Sequence, residues 1–197
     1  MPREVLILPT GTANLASVLA AFKRLGASTR IAEEAEAVRA AERVVLPGVG
    51  TFGVAMAGLR RAGLDEGIAA RAREGRPTLA MCVGLQVLFK GSEESPGASG
   101  LGVIEGEVGR FPESARTPQF GWNQVEPEPG CRFLERGFAY FANSYRTLAA
   151  PGCRVAHAEH GGRFIAAIEL GELLACQFHP ELSGAYGREL MARWLEG

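Results

Sequence analysis

The fold of this chain is decided by the stretch PTLAMCVGLQVLF at residues 77–89. It begins with a short apolar run, which is typical of a strand buried inside a sheet. Cys82 follows at the end of that run, and an amphipathic segment that predicts a helix comes next. A strand, a tight turn with a nucleophile and a helix together form a nucleophile elbow. We therefore predict an elbow at Cys82, with room for the turn left by the small residues Ala80 and Gly84.

An elbow would give Cys82 the surroundings of a reactive thiol. The first N–H groups of the following helix and the positive end of its dipole favour a thiolate and can hold an oxyanion. Cysteine is, however, also among the most buried residue types and often packs as a small hydrophobic side chain. This one stretch leaves both interpretations open.

The composition is that of an ordinary globular protein and does not point to nucleic acid or to a membrane. The 197 residues are 47% hydrophobic and 22% charged, with a net charge of -1. Such a balance offers no electrostatic footprint for nucleic acid or an anionic membrane. No apolar run approaches the roughly 20 residues needed to cross a bilayer. We expect one domain over residues 1–197, located in the cytoplasm, and we expect the two acids of the polar loop at residues 91–100 to be solvated.

The cysteines are too widely spaced for a zinc site or a disulfide framework. They are Cys82, Cys131, Cys153 and Cys176. Without a Cys-x-x-Cys pair, the sequence predicts reduced thiols and no metal site. We also expect no cofactor.

The first half of the chain has an α/β pattern. Residues 5–8 and 43–47 are apolar runs that predict buried strands, and Asn14 is placed to cap a helix that Gly26 would end. The strand at residues 43–47, the third predicted in the chain, ends in Pro-Gly-Val-Gly at residues 47–50, at the edge of the sheet where α/β proteins bind ligands. Glycines there indicate either close approach to a ligand or simply a tight turn. From residue 102 the segments become short and β-prone, until a helix at residues 184–195. The sequence thus predicts an α/β half and a β-rich half sharing a mixed sheet.

A second group of polar residues ends another predicted strand, in QFHPE at residues 177–181. Pro180 favours an extended conformation at His179. In an extended chain, residues two apart face the same side, so Glu181 would lie beside His179. A carboxylate that orients an imidazole suits a general base for a thiol. The alternative is a surface turn with no catalytic role.

Three segments of the chain together resemble the class I glutamine amidotransferases. Residues 81–86 are similar to the nucleophile motif of that family, residues 177–181 to its His-Pro-Glu motif, and residues 46–50 to its oxyanion segment. The resemblance implies a three-layer, flavodoxin-like α/β fold. It also implies hydrolysis of glutamine to glutamate and ammonia, with Cys82 as nucleophile, His179 as base and then acid, and Glu181 orienting His179.

The same resemblance implies further roles around this triad. The residues that would form or adjust the oxyanion site are Gly48, Val49, Gly50 and Val83. The residues that would hold the glutamine are Gln86, Ser144 and Tyr145.

Within the family, the chain is most similar to the glutaminase subunits of imidazole glycerol phosphate synthases. Residues 14–18, 121–123 and 140–145 carry this similarity. It implies a heterodimer with a (β/α)8 cyclase subunit, which would receive ammonia through a channel for imidazole glycerol phosphate synthesis in histidine biosynthesis. Asn14, Trp122 and Asn123 are the residues that we expect at this interface. The less favoured alternative is that Trp122 packs in a core and the asparagines serve as caps or turns.

The chain also departs from the pattern of these subunits. The first loop reads PTGTAN at residues 9–14 where Asp-Tyr-Gly-x-Gly-Asn is expected, Gln119-Phe120 replaces His-Met, and Asn143 replaces histidine. The triad itself is intact. The alternatives are the glutaminase of another amidotransferase, a stand-alone cysteine hydrolase of γ-glutamyl or peptide substrates, and a catalytically silent regulatory subunit, which the intact triad argues against.

Overall fold

The strands and helices follow the order expected from the sequence, an α/β half and then a β-rich half. The computed structural model describes residues 3–10 and 14–197. In those residues the strands are β1 Glu4–Ile7, β2 Ser28–Ile31, β3 Arg43–Leu46, β4 Thr78–Met81, β5 Gly91–Ser92, β6 Glu107–Arg110, β7 Gln119–Pro127, β8 Gly137–Asn143, β9 Tyr145–Arg146, β10 Arg154–Glu159, β11 Arg163–Leu170 and β12 Leu173–Cys176. The helices are α1 Leu15–Arg24, α2 Ala35–Ala40, α3 Phe52–Arg61, α4 Asp65–Arg73, α5 Val83–Gln86 and α6 Gly184–Glu196, with a 3-10 turn at Pro180–Leu182.

Strands from both halves of the chain build one mixed sheet. Its order is β2-β1-β3-β4-β12-β11-β10-β7-β8, while β5, β6 and β9 form a small separate sheet. Pairing is parallel from β2 to β12 and antiparallel from β12 to β8. The two halves meet where β4 lies parallel to β12, with Met81 opposite Cys176. The residues that follow these two strands, Cys82 and Gln177, therefore emerge side by side.

The central strands are buried on both faces, as expected for short apolar runs. Every residue of β3, β4 and β12 is buried. Alternate side chains of β1 enter two separate cores, Leu6 in the core with α2, α3 and α4, and Val5 in the core with α1 and α6. Side chains of a strand point to opposite faces, so helices on both sides give a three-layer sandwich. The predicted α/β fold is confirmed.

The helix after the nucleophile is shorter than the sequence predicts. In place of an amphipathic helix, α5 has four residues, all of them buried. It ends because another segment takes the next carbonyls: Val87 O accepts the N–H of Leu101 at 2.8 Å, and Leu88 O accepts the N–H of Ile104 at 3.0 Å. The prediction of an amphipathic helix was therefore wrong, since apolar residues on every side of this turn pack into the protein.

The start of α1 agrees with the sequence. Asn14 caps the helix, its side-chain oxygen accepting the N–H of Ser17 at 3.4 Å, and Gly26 follows the helix end with a φ of 75°. Residues 11–13, which belong to the atypical first loop, lie outside the described residues. In the part of the chain that the structure describes, no helix is both long and apolar enough to span a bilayer.

Candidate active site

Cys82 stands at a strained turn between β4 and α5. Its φ is 52°, and it is the only non-glycine residue with a positive φ in the described chain. This conformation is rare for an L-residue and is tolerated where the surroundings enforce it. One enforcing contact is the backbone bond from the N–H of Cys82 to the carbonyl oxygen of Cys176 in β12, at 2.7 Å. The predicted elbow is present.

Two glycines allow the elbow to lie directly against the end of β3. A Cβ on Gly84 would lie 2.1 Å from the carbonyl oxygen of Leu46. A Cβ on Gly48 would lie 2.8 Å from the backbone nitrogen of Gly84. Neither position has room for a side chain. The Cys-x-Gly motif and the Pro-Gly segment therefore depend on each other, because each glycine lets the backbone of the other segment approach closely.

His179 and Glu181 form a buried pair, although through a different backbone from the one predicted. Nδ1 of His179 lies 2.9 Å from Oε1 of Glu181, and the two side chains are only 6% and 4% exposed. His179 is extended, as Pro180 requires, with φ and ψ of -101° and 94°. The chain then turns into the 3-10 turn Pro180–Leu182. The expectation of a continuous extended segment was wrong, and the turn brings the two side chains together instead.

The backbone of His179 is fixed from two sides. Its N–H donates to the carbonyl oxygen of Tyr140 in β8 at 2.9 Å. Ser183 Oγ donates to the carbonyl oxygen of His179 at 2.6 Å and accepts the N–H of Tyr140 at 2.9 Å. Helix α6 closes over the turn at Gly187, where a Cβ would lie 1.9 Å from Pro180 O. The imidazole therefore has a rigid base.

The pKa of His179 is raised to about 10 against the effect of its burial, which is the largest single influence on it. Burial acts in the opposite direction and lowers the pKa, since it penalises the imidazolium. Hydrogen bonds and charge interactions with Cys82 and Glu181 outweigh this penalty. These contacts favour the imidazolium, the form that His179 adopts when it accepts the thiol proton. Since Nδ1 faces Glu181, Nε2 is left for Cys82.

Eight of the predicted site residues line one pocket of about 230 Å³. They are Val49, Gly50, Cys82, Val83, Gln86, Ser144, Tyr145 and His179. Two predicted residues lie behind this lining. Glu181 is behind His179, and the carbonyl oxygen of Gly48 accepts the N–H of Val83 through a long bond of 3.4 Å.

Four further residues line the pocket without having been predicted to do so, namely Glu94, Phe120, Ala142 and Asn143. Glu94 belongs to a loop whose acids were expected to be solvated, and that expectation is wrong for this side chain. Its Oε2 accepts the N–H of Phe52, the first residue of α3, at 2.8 Å. No local pattern reveals this contact, because the helix that it caps begins far earlier in the chain.

Gln86 is buried among protein groups, and it leads to another unpredicted neighbour of the nucleophile. Its Nε2 lies 3.1 Å from Oε1 of Gln177 and 3.5 Å from the carbonyl oxygen of Tyr145. Gln177 in turn places its Nε2 3.7 Å from Sγ of Cys82. Two amide groups therefore connect Gln86, in the pocket lining, with the sulfur of the nucleophile.

The residues expected at an interface have different surroundings. Trp122 is 57% exposed and packs edge-on against Tyr140, so it is not a core residue. Asn14 is exposed at the start of α1. Asn123 uses its amide within the chain, donating to Glu159 O at 2.9 Å and accepting the N–H of Gln124 at 2.8 Å.

Comparison with known proteins gives a consistent family. Residues 10–195 match the family model described as glutamine amidotransferase class-I. Imidazole glycerol phosphate synthase subunit HisH of Methanothermobacter thermautotrophicus is 39% identical over 195 residues, covering 98% of each chain. The subunit of the same name from Mycolicibacterium paratuberculosis is 40% identical, again covering 98% of each chain. That of a Thermus thermophilus strain is 39% identical and covers 98% of this chain and 96% of its own.

Solved structures resemble the fold at lower sequence identity. A crystal structure of a glutamine amidotransferase has a TM-score of 0.77 at 24% identity, covering 98% of this chain and 97% of its own. The PurLQS structure from Thermotoga maritima has a TM-score of 0.75 at 16% identity, covering 100% and 99% of the two chains. At such identities the similarity supports the fold only.

Proposed function

Because this chain belongs to the class I glutamine amidotransferase family, we propose that it is the glutaminase subunit of an imidazole glycerol phosphate synthase. It hydrolyses glutamine to glutamate and ammonia, and a (β/α)8 cyclase subunit uses the ammonia in histidine biosynthesis. Relatives at 39–40% identity over nearly their whole length carry that subunit name. The observation that carries the chemistry is the contact of Cys82, at its strained turn, with the buried His179–Glu181 pair.

The triad geometry supports acyl transfer through a thioester. Sγ of Cys82 attacks the side-chain carbonyl carbon of glutamine, and the thiol proton passes to Nε2 of His179. The imidazolium, held by Glu181, gives this proton to the leaving nitrogen as the C–N bond breaks. Water then attacks the thioester while His179 accepts its proton. The C–S bond breaks, glutamate leaves, and the sulfur of Cys82 regains the proton from His179. Each step moves a proton through the one nitrogen that faces the sulfur.

The oxyanion segment has one donor engaged in the conformation described. Val83 N–H points to the carbonyl oxygen of Gly48. The oxygen and the N–H of a trans peptide point in opposite directions, so the N–H of Val49 points away from that position. Rotating the Gly48–Val49 peptide would free Val83 N–H and turn Val49 N–H towards the same place. Since one oxyanion donor contributes about 3 kcal/mol to transition-state stabilisation, each donor that this rotation supplies would raise the rate by roughly 100-fold.

Two parts of the pocket are suited to the two ends of glutamine. The carbonyl to be attacked lies at Cys82. Glu94 lines the pocket, and among the described lining residues it is the only carboxylate. It is therefore our candidate to accept hydrogen bonds from the substrate α-ammonium group. Ser144 and Tyr145, which the sequence suggested would hold the glutamine, also line the pocket, and we propose them for the α-carboxylate.

The proposed partner surface is the exposed aromatic face of β7. Phe120 is 70% exposed and lines the pocket, and Trp122 lies two residues further on the same face. Exposed aromatic side chains are enriched in protein interfaces. A cyclase docked there would cover the pocket mouth and keep ammonia from solvent. We retain Trp122 and Asn14 as contact residues, and assign Asn123 to support of the strand.

Glutamate release tests the proposal. It is measured with this protein alone, with the cyclase subunit, and with that subunit and its nucleotide ligand. We expect a low rate alone and a large rise in the full complex, and Cys82→Ala should abolish activity while still forming the complex. Unchanged activity in Cys82→Ala would refute the mechanism. Equal rates with and without the partner would remove the gating and favour a stand-alone hydrolase, for which γ-glutamyl peptides are the substrates to try.

A further inference from the structure

Gln177 is a fully buried amide beside the nucleophile, with 0% of its surface exposed. It directly follows β12, whose last residue, Cys176, lies opposite Met81 of β4. The parallel register therefore places Gln177 next to Cys82. Its N–H donates to the carbonyl oxygen of Ala166 in β11 at 2.8 Å, which holds the backbone within the sheet.

The direction of the Gln177 amide follows from its neighbours. The carbonyl oxygen of Tyr145 can only accept hydrogen bonds, so the group of Gln86 that lies 3.5 Å from it must be the NH2. That NH2 also lies 3.1 Å from the Gln177 amide, which must present its oxygen there. The NH2 of Gln177 is then left for Sγ of Cys82, at 3.7 Å. A backbone carbonyl thus determines, through two amides, that the sulfur receives an N–H donor.

We infer that Gln177 is a positioning residue for the Cys82 sulfur, and that Gln86 acts by orienting Gln177. This inference rests on the proposed glutaminase chemistry. A sulfur that bears negative charge accepts hydrogen bonds more strongly than a neutral thiol or thioester. The N–H from Gln177 therefore stabilises the sulfur in both steps, when it gives its proton to His179 and when it leaves the tetrahedral intermediate during hydrolysis.

The direction of this bond also has a geometric effect. Cys82 has two side-chain partners, His179 and Gln177. These two contacts restrict the position of the sulfur, so that it faces the carbonyl carbon of a glutamine bound in the pocket. A residue that only filled buried space would contribute to stability without affecting the reactivity of the sulfur.

Two substitutions test the donor. Gln177→Glu keeps the shape of the side chain and an oxygen facing Gln86, but replaces the N–H that faces the sulfur. Gln177→Leu removes both groups without adding charge. In complex with the cyclase subunit, we expect kcat for glutaminase activity to fall about 10- to 100-fold in both variants, with KM changed by less than about threefold.

A second measurement does not depend on glutamine. The rate of Cys82 alkylation by iodoacetamide is followed against pH in the full-length protein, with peptide mapping to separate Cys82 from the other thiols. We expect the profile of both Gln177 variants to move to higher pH. Leu174→Ala is the matched control, because Leu174 is fully buried in β12, the strand that Gln177 follows. It should lower stability and leave the alkylation profile of Cys82 where it is in the unsubstituted protein.

The outcomes separate this inference from the proposed function. The role of Gln177 would be overturned if Gln177→Glu and Gln177→Leu had the same kcat and the same alkylation profile as the unsubstituted protein. It would also be overturned by variants that lose stability as Leu174→Ala does and keep the profile, since Gln177 would then be structural only. If the unsubstituted protein releases no glutamate in any complex while the profile shifts occur, the proposed function fails and the effect of Gln177 on the sulfur stands.

Discussion

Replacing Gly84 by alanine is the sharpest test of how the fold positions Cys82. The new Cβ would lie 2.1 Å from the carbonyl oxygen of Leu46, whereas ordinary van der Waals contact begins at 3.4 Å. Leu46 cannot withdraw, because β3 is held between β1 and β4 in the centre of the sheet. The single turn of α5 must therefore move by more than an ångström, and it carries Cys82 at its start.

Two separate losses follow from this displacement. Overpacking a well-packed site costs typically 1–3 kcal/mol, and we expect a decrease of about 3 kcal/mol in the free energy of unfolding. Misplacing a reacting group by about 1 Å costs on the order of 100-fold in rate. Stability is measured by urea denaturation. Activity is measured as glutamate release by the complex, under conditions where the variant remains folded.

Gly109→Ala is the matched control. A Cβ at Gly109 would make only ordinary contacts, the nearest being Glu93 Oε2 at 3.7 Å. We expect its stability to change by less than about 1 kcal/mol and its kcat to remain that of the unsubstituted protein. If Gly84→Ala behaves like this control, the contact with β3 does not constrain the elbow. If Gly84→Ala loses stability but keeps its kcat, the link between backbone position and reactivity is wrong.

Four further changes test other parts of the structure. Arg71→Met removes a buried guanidinium that donates to Thr78 Oγ1 and to four backbone carbonyls, so urea denaturation should show a loss of roughly 4 kcal/mol, partly restored by Arg71→Lys. Ser183→Ala leaves the N–H of Tyr140 without its acceptor and removes one of the two donors to the carbonyl oxygen of His179, which keeps the N–H of Leu182. It should cost roughly 2 kcal/mol in urea denaturation and lower kcat more than KM. Trp122→Ala should weaken cyclase binding at least tenfold in calorimetry without a loss of stability, because this side chain is mostly exposed. Since the pKa of His179 rises from 6.5 to about 10 on folding, its interactions stabilise the fold fully below pH 6.5, and this stabilisation is lost as the pH rises to about 10. Glu181→Gln should lower the pKa of His179 in NMR titrations and make the free energy of unfolding depend less on pH in this range. An unchanged titration would refute the pairing of His179 with Glu181.

Local sequence was sufficient to locate the elements that carry the chemistry. The apolar run before Cys82 and the glycine after it predict the turn that the structure contains. Pro180 likewise predicts the extended backbone of His179. In each case the constraint acts between residues that are neighbours in the chain. Nothing local, however, states that the two segments meet, which depends on the parallel pairing of β4 with β12.

The features missed are those decided by contacts between distant segments. The sequence around Glu94 predicts a solvated acid, because it does not show that the first N–H group of α3 lies within hydrogen-bonding distance of this side chain. The sequence gives Gln177 no role beyond that of a polar residue after a strand. Its position beside Cys82 follows only from the pairing of β12 with β4. The length of α5 was overestimated for a related reason, because its pattern does not show that Leu101 and Ile104 bond to the carbonyls that would continue the helix.

The two halves of the site are anchored in different ways, and this bears on how a partner could control it. Cys82 is fixed in the sheet through β4 and β12. His179 is bonded to β8 at Tyr140, whose N–H and carbonyl both connect to the catalytic turn. The ring of that same Tyr140 packs against Trp122, which is exposed on β7. We therefore expect a partner that contacts Trp122 to act on the strand that holds His179 rather than on Cys82. The two places where we expect a docked partner to change the rate of glutamine hydrolysis without disturbing the core are therefore β8 and the Gly48–Val49 peptide.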